Sequence, residues 1–109
     1  MKRDNDLIRQ ILFEAEAHDS PFFLVTLSHS SDPDDLRRFE HARILCDAGL
    51  FERTSNEVYR ITNDGHDFLA SVRDDSNWKT VKSKAGHLTL EAMKIVASKI
   101  VEAAVSKLI

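Results

Sequence analysis

Apolar positions step at helical spacing through most of this chain and give way to short strand-like runs in two regions only. Leu7, Ile8, Ile11, Leu12 and Ala15 form one face of a helix that Asp4 can cap near Asn5. Asp6 lies in its first turn, where the helix dipole favours a carboxylate. The run His18-Asp-Ser-Pro21 ends it, because proline cannot continue a helix. The aromatic and β-branched run Phe22–Leu27 predicts a strand that pairs with a later hairpin, and Ser28–Ser31 reads as a polar loop.

Asp32-Pro33 predicts a second helix over 33–48, with a cap residue followed by proline at the first helical position. Gly49 supplies a left-handed stop. Phe39, Ala42, Leu45 and Cys46 share the inner side, with Ile44 and Ala48 beside them, and Arg37, Glu40, Arg43 and Asp47 lie opposite. Residues 50–53 and 58–61 flank Thr54-Ser-Asn-Glu57 and predict a hairpin. Thr62 caps a helix carrying Phe68, Leu69 and Val72 inward, and Arg73–Asn77 is expected to break it. A short helix over 78–83 follows, ended by Gly86. Thr89 caps a last helix with a wide apolar face.

These elements predict a mainly α fold with a small β-sheet: a winged helix-turn-helix-like core over residues 1–75 and a helical extension over 76–109, packed on the core as one compact domain. The order of helix, glycine stop, hairpin and threonine-capped helix carries that expectation.

Two motif sets extend it. The start Met1-Lys-Arg-Asp-Asn-Asp-Leu-Ile-Arg9 is followed by His41 with Ile44-Leu45 and Ala48-Gly49-Leu50. Then come Ile61-Thr62 with Gly65-His66-Asp67-Phe68-Leu69, and Arg73-Asp74-Asp75 with Trp78. In this order they resemble an uncharacterised bacterial and prophage family, a domain of unknown function, over nearly the whole chain. The central part is also similar to winged-helix transcription regulators, although the spacing is shortened by one helix. The resemblance implies a fold and a phage or mobile-element setting, and no activity.

Charge changes the functional picture. The chain carries −3 overall, but residues 1–75 hold 9 Lys/Arg against 16 Asp/Glu, a net of −7, and residues 76–109 hold 6 Lys against 2 Glu, a net of +4. Phosphate neutralisation supplies most nonspecific DNA affinity, so an acidic reading domain weighs against that mode. A single cysteine, Cys46, excludes an internal disulfide and fits a reducing, cytoplasmic location. No apolar run reaches the roughly 18 residues of a membrane span, and the charged N-terminus does not read as a signal peptide.

The candidate DNA contacts are Arg37, Arg38 and Arg43 on the second helix and Arg53 and Arg60 beside the hairpin. Against that role, Asp34, Asp35, Glu40 and Asp47 interleave with the first set at pairing distance along the helix. Glu52 and Glu57 can pair with the second set across the strands. His41 is expected to fix helix packing from a buried position, with a pH-sensitive role as the alternative. His66 reads as a helix-start residue rather than a general base. His18, His29, His41, His66 and His87 have no metal-ligand spacing, so no zinc and no cofactor is expected. Cys46 reads as an inert core thiol. Gly49, Gly65 and Gly86 are too far apart for a phosphate loop.

Trp78 is expected to anchor the extension, with partner binding as the alternative. Met93, Val96, Ile100, Val101, Ala104 and Leu108 on the last helix are the candidate interface of a homodimer. Packing over the first helix is the alternative. The Lys-rich outer side (Lys79, Lys82, Lys84, Lys94, Lys99 and Lys107) suits an acidic partner.

Two functions are weighed, the first as the expectation and the second as its alternative. One is a small dimeric regulator that binds double-stranded DNA. The other is an interaction module that kept the fold and acts on a host or phage protein. No catalytic constellation is visible, so an enzyme is not expected.

Overall fold

Asp4, through its side chain, accepts the backbone N–H of Leu7 and so starts α1 at Asn5–Ala17. In the computed structural model, which describes residues 1–27 and 32–108, the remaining elements follow in order. They are β1 (Phe23–Leu24), α2 (Pro33–Asp47), β2 (Phe51–Ser55), β3 (Val58–Ile61), α3 (Asn63–Val72), α4 (Asp75–Ala85) and α5 (Leu90–Ser106). The fold is mainly helical with one three-stranded antiparallel sheet of order β1-β3-β2. The loop expected over Ser28–Ser31, with His29, lies outside the described residues.

The chain divides into two compact units, residues 1–66 and 67–109. In the first, α1 packs on α2 and β3, and α2 packs on β2. Ile8, Ile11, Leu12 and Ala15 of α1 are buried, as are Ala42 and Leu45 of α2. Leu50, Phe51 and Tyr59 close the core from the sheet. Phe51 stacks on Tyr59 with centroids 5.9 Å apart and meets the edge of Phe23 at 6.3 Å. The caps expected at Asp32 and Thr62 are both present, and Gly49 takes φ +77° at the end of α2.

Four local expectations need correction. The strand expected over Phe22–Leu27 forms only at Phe23–Leu24. Its partner β3 begins at Val58, so the N–H groups of Val25 and Leu27 turn instead to Glu57, one to the backbone carbonyl at 3.0 Å and one to the carboxylate at 3.3 Å. The hairpin loop is tighter than Thr54–Glu57: Thr54 and Ser55 belong to β2, a bulge lies between Arg53 and Ser55, and Glu57 takes φ 63°. The helix expected at 78–83 extends over Asp75–Ala85. Asp74 accepts the N–H groups of Ser76 and Asn77, so the Asp-rich run that reads as a breaker is a capped start. Cys46 is half-buried rather than a core residue.

In the second unit, α3 buries Phe68, Leu69 and Val72. The helices α4 and α5 pack together with Trp78, Val81 and Ala85 on one side and Leu90, Met93 and Ala97 on the other. Thr89 caps α5 by accepting the N–H of Ala92.

Candidate functional site

The arginines of α2 reach back to α1. An Nη2 hydrogen of Arg37 is donated to the carboxylate of Asp4 at 2.6 Å, and Arg38 donates to Glu14 at 3.0 Å. Their partners are therefore on the neighbouring helix, not the acidic residues interleaved on α2. Both pairs are partly exposed, with side chains about a third to two-fifths accessible, so each contributes little more than local order.

Arg43 lays its guanidinium over Phe39 at 5.0 Å, and its Nε is buried with no hydrogen-bond partner among the described residues. Arg60 crosses the hairpin to Glu52 at 3.0 Å, as the cross-strand reading expected. Arg53 is exposed on β2 opposite Tyr59. Among the described residues Glu57 pairs with neither arginine; its oxygens hold the segment after β1.

His41 of α2 meets the start of α1, with none of its surface exposed. Its Nε2 accepts the backbone N–H of Asp4 at 2.8 Å, which leaves the proton on Nδ1, facing the carbonyl of Arg37 at 2.7 Å. The packing role expected for His41 is what the geometry gives it. Asp4 is the residue that the sequence undervalued: beyond its cap it receives Arg37 through one carboxylate oxygen and holds His41 through its N–H. A signal existed in complementary charges on the first two helices, but their mutual register is not written in either helix alone.

The half-buried thiol of Cys46 is pushed above its ordinary range, chiefly by burial and further by Asp47, with Arg43 and Arg53 opposing. That is the character of an unreactive thiol. His66 is exposed at the start of α3. Among the described residues no three or more His, Cys, Asp or Glu side chains gather as a metal site, and no helix is long and apolar enough to cross a membrane.

The candidate interface on α5 separates into two parts. Met93 is buried and Val96 and Ile100 are half-buried, whereas Val101, Ala104 and Leu108 are exposed. Trp78 is buried.

Comparison with known proteins gives two findings. Residues 2–91 match the family described as "Hypothetical protein (DUF2513)". An "Uncharacterized protein" of Haemophilus influenzae (strain ATCC 51907 / DSM 11121 / KW20 / Rd) is 34% identical over 119 aligned positions, covering 93% of this chain and 96% of the relative. No solved structure matches.

Proposed function

The chain belongs to the DUF2513 family, and from that premise we propose that it is a protein-interaction module on a winged-helix-like core. The winged-helix-like assignment is supported by the order α2, β2, β3, α3 and by the sheet order β1-β3-β2. The observation that carries the interaction reading is the engagement of Arg37, Arg38 and Arg60 by Asp4, Glu14 and Glu52. A phosphate would have to displace a carboxylate at each, on a segment that already carries −7 over residues 1–75. The interaction face is the second half of α5, where apolar side chains stand exposed. The motif order supports a phage or mobile-element setting, and the single cysteine supports a cytoplasmic one, with a host or phage protein as a further partner class.

A second reading, a regulator that binds duplex DNA, is favoured by Arg43 and Arg53. Among the described residues neither makes an ion pair, and both lie within electrostatic range of Cys46. Titrating a labelled duplex while salt is varied separates the two. The interaction reading expects no salt-sensitive binding. Binding that weakens steeply with salt and is abolished by Arg43→Ala with Arg53→Ala establishes the DNA reading in its place.

A further inference from the structure

The helices α4 and α5 differ in length, and the difference leaves part of one apolar face uncovered. At 1.5 Å per residue the 11 residues of α4 span about 16 Å and the 17 of α5 about 25 Å. The two helices pack together, and their buried positions step at matching spacings, so an antiparallel arrangement sets Ala85 level with Leu90, Val81 with Met93 and Trp78 with Ala97. Continuing that register brings Asp74 and Asp75, the start of α4, level with Ile100 and Val101. Cover stops there. Ile100 is half-buried, and every described residue from Val101 onward is exposed.

The apolar face does not stop with its cover. Val101, Ala104, Val105 and Leu108 continue it at spacings of three and four residues. Val101, Val105 and Leu108 are 44%, 48% and 85% exposed.

We propose that the occupant is the same overhang of a second copy, running antiparallel about a twofold axis between Ala104 and Val105. In that register each Val101 faces Leu108 of the other copy, and each Ala104 faces Val105. Each α5 then lies in line with α4 of the other copy. Lys107, at the end of one helix, comes within a turn of the acidic pair Asp74 and Asp75 at the start of the other. Opposite charges therefore meet at both ends of the contact. The apolar area covered is on the order of 300 Å² per copy, well below a standard interface, so the dimer is weak and concentration-dependent. This deepens the interaction reading by naming the occupant of its face.

Sedimentation of the full chain at roughly 10 to 500 µM tests it. The mass is expected to rise from 12.4 kDa toward twice that value. Val105→Glu with Leu108→Glu should weaken association at least about tenfold, with the far-ultraviolet spectrum unchanged because both sites are exposed. Lys107→Glu should also weaken it, and adding Asp75→Lys to the same chain should restore it. A mass of 12.4 kDa throughout, or a dimer indifferent to the two glutamates, overturns the pairing. A dimer that loses to the glutamates but ignores the charge swap overturns the register. A monomer without salt-sensitive duplex binding defeats the pairing alone and leaves the interaction reading standing.

Discussion

The backbone N–H of Asp4 is donated to the imidazole Nε2 of His41 at 2.8 Å, and this bond joins the N-cap of α1 to the middle of α2. The two residues are 37 positions apart. Around the bond, the carboxylate of Asp4 caps α1 and receives Arg37, while the other imidazole nitrogen faces the Arg37 carbonyl. One aspartate thus completes a helix cap, an ion pair and an interhelical hydrogen bond.

His41→Ala removes that bond and opens a cavity at a site with no exposure. A loss of about 2–4 kcal/mol is expected, the sum of a buried side-chain truncation and an orphaned N–H. Urea unfolding measures it. A change under about 0.5 kcal/mol, the range of ordinary surface substitutions, contradicts the role given to His41.

Arg37→Ala and Arg38→Ala should behave differently. Their ion pairs are partly exposed, so each substitution is expected to cost no more than about 1 kcal/mol. Part of that cost should vanish as salt rises toward about 1 M, where screening is strong. Thermal melts at two salt concentrations provide the check.

Gly65→Ala is expected to be among the most damaging single changes. A Cβ at Gly65 would collide with the Leu50 carbonyl oxygen and sit 2.7 Å from Cγ2 of Ile61. The nearer atom is backbone and cannot turn aside, so the chain at Gly65 must shift away from Leu50, at a cost of about 1–3 kcal/mol or more. Soluble expression followed by calorimetry tests this. A fully stable Gly65→Ala protein would contradict the close approach of Gly65 to Leu50.

Cys46 should alkylate slowly in the folded protein. Burial, then Asp47, holds its thiol protonated above the ordinary range. The rate with iodoacetamide should therefore rise only at more alkaline pH than for the unfolded chain. The linkage has a definite sign. The folded thiol keeps its proton where the unfolded one has lost it, so stability is unaffected at lower pH and declines as pH rises through and above the unfolded thiol's range. Equal labelling rates for folded and unfolded chains would remove the burial from this account.

Much of the fold is legible in local chemistry. Asp4, Asp32, Thr62 and Thr89 mark helix starts that depend only on the next three residues, and all four act as caps. The periodic face of α1 depends only on its own spacing. What local chemistry misreads is punctuation shared by two meanings: Arg73-Asp74-Asp75 ends one helix and begins another. The partners of Arg37 and Arg38 were out of reach for a different reason. Asp34, Asp35, Glu40 and Asp47 satisfy the spacing rule within α2, while Asp4 and Glu14 win by the crossing of two helices, which no single periodicity encodes. The length mismatch of α4 and α5 was likewise hidden, because α4 begins earlier than its apolar pattern suggests.

Residue-resolved amide spectra of the labelled protein address both halves of the account at once, by adding duplex DNA in one series and raising protein concentration in another. DNA is expected to leave the amides of Arg37 to Arg43 and of Arg53 in place, while concentration shifts those of Val101 to Leu108. Shifts on α2 and the hairpin with DNA, together with a concentration-independent α5, would contradict it.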